Sequence, residues 1–239
     1  MAVVKLTLEY DGTEFAGWVP QPGRRTVEGE LRAALDQVYG GWSRLAVAGR
    51  TDAGVHALGQ VASFQAEKGP PLERAAAALN SALPEDLAAV SAETAPEDFS
   101  ARFSARARSY RYRIWRCATA SPFERRRSLW WPRPLEEDAL AESAALLLGK
   151  HDFRAFTPTE TEHDVFVRTV SEAEWRRDGE VLEFRITADS FLRHMVRTLV
   201  GTMLEAEPAA FGQLLEGRPR EVAGSTAPPW GLYLEQVYY

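Results

Sequence analysis

The segment Ala48–Ala57 is the part of the sequence best equipped for chemistry. It contains one carboxylate, Asp52, together with Arg50, Thr51 and His56, and two glycines that permit tight backbone geometry. A carboxylate beside an arginine stays ionised, which suits a nucleophile or a base. An ordinary polar turn would have much the same composition. The residue types alone therefore leave both interpretations open.

The elements around this segment predict the order βαββαβ. Val3–Tyr10 alternates between apolar and polar residues, as a half-buried strand does. Thr26 is the expected N-cap of a helix that Gly40-Gly41 ends. The later elements of this half are strands Leu45–Ala48 and His56–Gln65, a helix at about Leu72–Leu83, and strand Leu87–Ser91. The Asp52 segment therefore joins two short strands.

The second half repeats this plan. Its predicted elements are strand Ser109–Arg116, helix Leu135–Leu148, a hairpin of Arg168–Arg176 and Val181–Ala188 around Asp178-Gly179, helix Phe191–Leu204, a short helix near Ala209–Leu215, and strand Tyr233–Val237. We therefore predict an α+β fold of two tandem βαββαβ halves of the ferredoxin or RRM kind, with mixed or antiparallel sheets.

The predicted domain boundary falls in residues 100–108. Residues 1–105 form the half that carries the Asp52 segment, and residues 106–239 form the other half. We expect the two sheets to join edge to edge and to frame a central catalytic cleft. This last expectation concerns assembly and does not come from the periodicity.

Composition narrows the class of protein. The chain has 239 residues and a single cysteine, Cys117, which excludes an internal disulfide and a cysteine-rich zinc site and favours a reducing cytoplasm. We expect no signal peptide, because the apolar run Ala2–Val4 meets Lys5 at once. We also expect no membrane segment, since no apolar stretch approaches the roughly 20 residues needed to cross a bilayer.

Charge is distributed unevenly along the chain. The segment Ala101–Arg133 has ten arginines and one acid, Glu124, for a charge of +9. The whole chain carries −6, which leaves −15 for the remainder. Such polarity can present a basic face to phosphates in an acidic protein. Alternatively, several of these arginines pair with the acid-rich helix Glu136–Glu142, and both interpretations can hold together.

Several segments accompany the Asp52 loop in order along nearly the whole chain. The run Gly49–His56 with Gly59-Gln60-Val61 resembles the signature of the TruA family of tRNA pseudouridine synthases, and this match is highly specific. The other segments similar to blocks of that family are Tyr10-Asp11-Gly12-Thr13 with Phe15, Gly17 and Trp18; Thr26-Val27-Glu28-Gly29; Asn80 with Leu83-Pro84 and Asp86; Phe99 with Ala101-Arg102-Phe103; Tyr110-Arg111-Tyr112; Gly149-Lys150-His151-Asp152-Phe153; Arg168-Thr169; Phe191-Leu192 with His194-Met195-Val196-Arg197; and Pro228 to Tyr238.

This resemblance implies isomerisation of uridines 38, 39 and 40 in the tRNA anticodon stem-loop, without a metal, nucleotide or redox cofactor. It implies that Asp52 is the catalytic aspartate, with Arg197 as its ionic partner. It also implies that Tyr110 stacks on the target base and that Arg50 helps to flip that base out. Leu232 or Leu234 matches an apolar residue of the uracil pocket, and the family suggests a homodimer.

The same residues also have ordinary structural interpretations. Tyr110 lies in an alternating strand, and without the evidence of the Asp52 loop we would interpret it as a core aromatic residue. Arg197 follows Arg193 by one helical turn, as on a solvated helix edge. His151 and His163 are interpreted as structural or surface residues. The candidates for contact with the RNA backbone are Arg102, Arg106, Arg111, Arg125, Arg126, Arg127, Lys150 and Arg193.

Three other functions remain open at this level. The chain could be a non-catalytic RNA-binding protein made of two RRM-like units, although it has no clear RNP block. It could be a hydrolase that uses Asp52 and His56 as an acid–base pair. A related pseudouridine synthase acting on other RNAs is the third alternative. A metal pair of Asp52 and His56 lacks an evident third ligand.

Overall fold

The computed structural model describes residues 2–161 and 164–239. The chain divides into two compact units. The first is made of residues 1–106 and 234–239, and the second is made of residues 107–233. His163 lies outside the described residues. None of the helices among the described residues is long and apolar enough to cross a membrane.

The first unit has the predicted βαββαβ order. Its elements are strand β1 (Ala2–Tyr10), helix α1 (Val27–Val38), strands β2 (Gly41–Val47) and β3 (His56–Lys68), helix α2 (Leu72–Asn80) and strand β4 (Leu87–Ala95). Strand β1 pairs antiparallel with both β3 and β4, and β2 pairs antiparallel with β3. The alternation that predicted β1 is confirmed, because Leu6, Leu8 and Tyr10 are all buried.

The second unit contains more strands than its sequence pattern predicted. Its elements are β5 (Ala107–Trp115), β6 (Leu129–Trp130), α3 (Glu137–Ala145), β7 (Gly149–Asp152), β8 (Val167–Asp178), β9 (Val181–Ala188), α4 (Met195–Met203) and α5 (Pro208–Leu214). Strand β9 pairs antiparallel with β5 and β8, β7 pairs antiparallel with β8, and the two residues of β6 lie parallel to β5. The α+β class with mixed and antiparallel pairing is confirmed.

The last strand, β10, spans Leu232–Tyr238, and its residues from Leu234 onward belong to the first unit. Within that unit the Tyr238 carbonyl accepts a hydrogen bond from the Arg106 backbone N–H at 2.8 Å. The Tyr239 hydroxyl donates to the Ala101 carbonyl at 3.0 Å. The end of the chain is therefore built into the core of the unit that carries Asp52.

A local capping signal sets the start of α1, whereas α4 begins later than predicted. Thr26 caps α1 as expected, accepting from the Gly29 N–H at 3.3 Å. The sequence pattern predicts a helix from Phe191, whereas α4 begins at Met195. His194 has φ +61°, a left-handed conformation that cannot continue a right-handed helix. Within α4, Met195, Val196, Leu199 and Met203 are buried.

Candidate active site

Asp52 lies in the loop between β2 and β3, and the segment that follows β1 holds this loop from one side. The Trp18 N–H donates to the Thr51 carbonyl at 3.0 Å, and the Gly54 N–H donates to the Phe15 carbonyl at 3.3 Å. Inside the loop the Val55 N–H donates to the Asp52 carbonyl at 3.2 Å. These bonds fix the backbone immediately before and after Asp52, because each ties a loop residue to a defined neighbour.

The supporting segment is itself anchored to the start of α1. The carbonyls of Gly17 and Trp18 accept from the N–H groups of Val27 and Glu28, each at 3.1 Å. These are among the N–H groups at a helix start that find no partner inside the helix. The chain between β1 and α1 therefore has two roles. Its carbonyls accept hydrogen bonds from the N–H groups at the start of α1, and the Trp18 N–H donates to the Asp52 loop.

Two glycines allow the supporting segment to approach the loop closely. Gly17 has φ +94°, and a Cβ there would lie 2.9 Å from the Thr51 carbonyl oxygen. A Cβ on Gly12 would overlap the carbonyl of Val55. Glycine is required at both positions because the backbone of one segment lies directly on the backbone of the other.

Buried polar side chains hold the loop from its other side. The hydroxyls of Tyr10 and Thr51 are hydrogen-bonded at 2.8 Å. The Gln60 Nε2 donates to the Tyr10 hydroxyl at 3.3 Å and to the Gly49 carbonyl at 2.6 Å. Burial raises the pKa of Tyr10 to about 12, so its hydroxyl remains protonated at neutral pH.

His56 is buried at the end of the loop. Its Nδ1 accepts the Gly12 N–H at 3.0 Å and lies 3.2 Å from the Asp11 carboxylate. A nitrogen that accepts a hydrogen bond has its lone pair engaged, so Nδ1 is not available to a metal. No group of three or more His, Cys, Asp or Glu side chains among the described residues is arranged to hold a metal ion.

Arg197 occupies the third position of α4, in the second unit. Its Nε donates to the Ala227 carbonyl at 2.8 Å, and its own carbonyl accepts the Ala227 N–H at 3.0 Å. Gly201 lets the segment before Ala227 pass close to α4, because a Cβ there would overlap the Ser225 carbonyl. The hydrogen bond from Nε to the Ala227 carbonyl therefore orients the Arg197 guanidinium.

Tyr110 and Tyr112 lie on the same face of β5. The Tyr112 hydroxyl donates to the Pro228 carbonyl at 2.9 Å, and burial raises its pKa while the nearby charge of Arg197 opposes that rise. Tyr110 is 8% exposed and forms an edge-to-face contact with Phe191, with ring centroids 4.8 Å apart. Helix α4 packs against β5, so Tyr110 and Arg197 come from adjoining elements of this unit.

The remaining predicted site residues divide between the units. Arg50 is exposed in the first unit. Leu232, 6% exposed, belongs to the second unit, and Leu234, fully buried, belongs to the first. The exposed candidates for RNA contact are Arg102, Arg106, Arg125, Arg126, Arg127, Lys150 and Arg193.

Arg111 differs from these candidates because it is half-buried in a charge cluster. Glu183 lies 3.3 Å from Arg111, 3.5 Å from Arg113 and 3.1 Å from Arg185. Helix α3 pairs with Arg177, which lies 2.6 Å from Glu137 and is outside the basic segment. The charge of Glu137 also reaches Arg116 of the basic segment, where it opposes the fall in pKa that burial causes. The pairing of β5 with β9 therefore brings Glu183 to the arginines of β5, and Glu124 lies 3.1 Å from Arg113 as a second acid.

A family model described as tRNA pseudouridine synthase matches residues 7–104 and 143–239. The chain is 44% identical over 242 residues to tRNA pseudouridine synthase A of Geobacillus kaustophilus, covering 99% of this chain and 94% of that relative. It is 44% identical to the same enzyme of Moorella thermoacetica over the full length of both chains, and 42% identical to that of Bacillus subtilis, covering 99% and 98%.

The chain belongs to the tRNA pseudouridine synthase family. As a member of that family it is an isomerase that forms pseudouridine in tRNA, which replaces the alternatives of a hydrolase and of a non-catalytic RNA-binding protein. A solved Cbf5-Nop10-Gar1 complex is also similar, at 12% identity and a TM-score of 0.40 over 96% of this chain and 57% of that one, a likeness too slight to bear on function.

Some of the predicted site residues lie inside the two blocks that match the family model, and others lie between the blocks. Asp52 and Arg50 lie in its first matched block, and Arg197, Leu232 and Leu234 lie in its second. Tyr110 and Arg125–Arg127 lie between the two blocks. The sequence pattern assigned no role to Tyr10 or Gln60, whose hydrogen bonds hold the Asp52 loop. Both residues lie in segments that resemble family blocks, Tyr10–Thr13 and Gly59–Val61, and that resemblance is the signal that could have indicated them.

Proposed function

We propose that this isomerase acts on uridines 38, 39 and 40 of the tRNA anticodon stem-loop and that Asp52 is its catalytic carboxylate. The observation that carries the proposal is the backbone of residues 51–55, held by hydrogen bonds on both sides of a single acid. A catalytic group must be held close to its productive geometry, and this loop meets that requirement. The family model matches residues 7–104, which include Asp52, and this match gives independent support to the proposed role of Asp52.

The reaction exchanges one glycosidic bond for another. The N1–C1′ bond of uridine breaks, the uracil turns, and a C5–C1′ bond forms. The base loses the proton on C5 and gains one on N1, so the overall change is an isomerisation. Asp52 can attack C1′ of the sugar, attack C6 of the base, or remove a sugar proton. Each role requires an ionised carboxylate.

Arg197 and Tyr110 complete the proposed machinery in the second unit. In this proposal Arg197 forms the ion pair that keeps Asp52 ionised, and the bond from its Nε to the Ala227 carbonyl supports a fixed approach. Tyr110 stacks on the extruded uracil, which returns ~1–3 kcal/mol of the free energy spent on unstacking. Since its ring is 8% exposed, the base must displace part of its present surroundings.

The other predicted contacts are proposed around these three residues. Arg50, exposed beside Asp52, helps to draw the target base out of its stack. Leu232 or Leu234 lines the uracil pocket. The exposed arginines at 102, 106 and 125–127, with Lys150 and Arg193, contact tRNA phosphates. Arg111 belongs to this set by its position on β5, although Glu183 engages its charge.

We further propose that the enzyme is a homodimer and acts in the cytoplasm, where its tRNA substrate is found. In a dimer one tRNA can contact both copies. Sedimentation of the pure protein tests the assembly, and a monomer at micromolar concentration would contradict it.

The first experiment identifies the product and its position. Unmodified tRNA is incubated with the pure protein, without added cofactor, and analysed by nucleoside chromatography and by position-specific chemical mapping. We expect pseudouridine at one or more of positions 38, 39 and 40. Pseudouridine confined to other positions would keep the reaction and overturn the proposed target.

The second experiment tests Asp52. Asp52→Asn keeps the size of the side chain but removes its charge, so tRNA binding should stay within about twofold while kcat falls at least about 10³-fold. Release of tritium from C5-labelled tRNA measures turnover. Substantial release by a folded Asp52→Asn variant would contradict the assignment. Asp36→Asn, on α1, is the matched control and should retain full activity.

A further inference from the structure

The contacts around the Asp52 loop include a buried hydroxyl pair that no part of the proposed mechanism uses. Tyr10 and Thr51 are 3% and 7% exposed, and their hydroxyl oxygens are 2.8 Å apart. Thr51 directly precedes Asp52 in the chain. A buried hydroxyl without a partner is unfavourable, so this pair strongly restricts where the Thr51 side chain can lie.

Gln60 is the third member of this buried polar group. Its Oε1 accepts the Val61 N–H at 3.2 Å, which orients the amide so that Nε2 points at Gly49 and Tyr10. The Nε2 then donates to the Tyr10 oxygen at 3.3 Å and to the Gly49 carbonyl at 2.6 Å. The Tyr10 hydroxyl therefore accepts from Gln60 and shares a second hydrogen bond with the Thr51 hydroxyl, in which either oxygen can be the donor.

The backbone of Thr51 is held independently of this side-chain bond. Its carbonyl accepts the Trp18 N–H at 3.0 Å. Hydroxyl and carbonyl together fix Thr51 at two points, one on β1 and one on the segment after β1. The position of Asp52, the next residue in the chain, depends on both of these hydrogen bonds.

We propose that Tyr10, acting through the Thr51 hydroxyl, is a positioning residue for the Asp52 carboxylate. This inference rests on the proposed role of Asp52. Tyr10 forms a hydrogen bond with the residue before the carboxylate, and Gln60 holds the Tyr10 hydroxyl. Since a displacement of about 1 Å at a reacting group can lower the rate about 100-fold, loss of this bond should lower kcat more than it weakens tRNA binding.

The packing of Tyr10 can be separated from its hydroxyl. Its ring lies in the core beside Phe15 and Trp18, with centroids 6.3 and 6.4 Å away. Tyr10→Phe keeps these contacts and removes only the hydroxyl. Thr51→Val removes the other partner with little change of shape, and Thr51→Ser restores a hydroxyl at that position.

The test measures kcat and KM for tRNA in Tyr10→Phe, Thr51→Val, Thr51→Ser and the double variant Tyr10→Phe/Thr51→Val. We expect kcat to fall about 10- to 100-fold in Tyr10→Phe and in Thr51→Val, with KM within about twofold of the wild type. Thr51→Ser should recover most of the rate. The double variant should lose about as much as either single variant, because both remove the same bond.

Three results would overturn the inference: a kcat for Tyr10→Phe within twofold of wild type, losses that multiply in the double variant, or a change in KM alone. Thermal melts establish that each variant is folded at the assay temperature. If Tyr10→Phe does not fold, the contrast between Thr51→Val and Thr51→Ser decides. An inactive Asp52→Asn beside a fully active Tyr10→Phe would refute only the positioning role, whereas an active Asp52→Asn would refute the proposed function.

Discussion

The Asp52 loop and the basic segment Ala101–Arg133 are built in opposite ways. The loop contains one acid. Hydrogen bonds from β3 and from the segment before α1 hold its backbone, and Tyr10 of β1 holds the Thr51 side chain. The basic segment has ten arginines, several of them exposed, and aromatic residues such as Phe123, which is 86% exposed. Chemistry at a single carboxylate requires fixed geometry, whereas attraction of a polyanion requires many charges that act together. We therefore expect single changes to have large effects at the loop and small effects in the basic segment.

Apart from the loss of the Asp52 charge itself, the largest effect is expected where the supporting segment touches the loop. Gly17→Ala places a Cβ 2.9 Å from the Thr51 carbonyl at a φ of +94°. We expect a loss of about 3 kcal/mol in the free energy of unfolding and a fall of about 100-fold in kcat. Denaturant unfolding and the tritium-release assay measure these quantities.

Gly23→Ala is the matched control for this prediction. Gly23 also has a positive φ, +68°, but nothing lies within 4 Å of a Cβ there. The variant should lose only about 1 kcal/mol of stability, from backbone strain alone, and keep its activity. Equal losses in the two variants would show that the close approach to the Asp52 loop is not what makes Gly17 necessary.

An intermediate effect is expected in the charge cluster of β5 and β9. Glu183→Gln removes a carboxylate that Arg111, Arg113 and Arg185 share, while Arg113 keeps its contact with Glu124 at 3.1 Å. We expect a loss of about 2 kcal/mol in the free energy of unfolding, measured by denaturant titration. Glu174→Gln breaks an exposed pair with Arg176 and should lose less than about 0.5 kcal/mol. A similar small loss in both variants would mean that the cluster is as well solvated as a surface pair.

The smallest effect is expected at a single exposed arginine of the basic segment. Arg125→Gln should weaken tRNA binding by about 2- to 10-fold and reduce the slope of log K against log salt by about one, with kcat unchanged. Arg74→Gln removes an equal charge from the exposed face of α2 and should leave both quantities unchanged. Equal reductions in the two variants would indicate attraction by the total charge of the protein rather than by this segment.

Much of the fold was predictable because its signals are local. The Thr26 cap of α1, the alternation of β1 and the turn at Asp178-Gly179 each depend on neighbours in the sequence. The prediction was wrong about the start of α4, because the left-handed backbone of His194 delays the helix to Met195. It also missed β7, whose four residues show too short an alternation to stand out.

For the candidate site, the sequence by itself predicted the family, the reaction and a candidate catalytic loop at Asp52, because the residues that resemble the family signature stand there in an uninterrupted run. Only the tertiary structure decided what holds the loop. Tyr10, Thr51 and Gln60 meet across 41 and 50 residues of chain, and Glu183 meets Arg111 across 72. Such contacts depend on which strands pair and in what register, and that is set by burial of the whole core rather than by any local pattern.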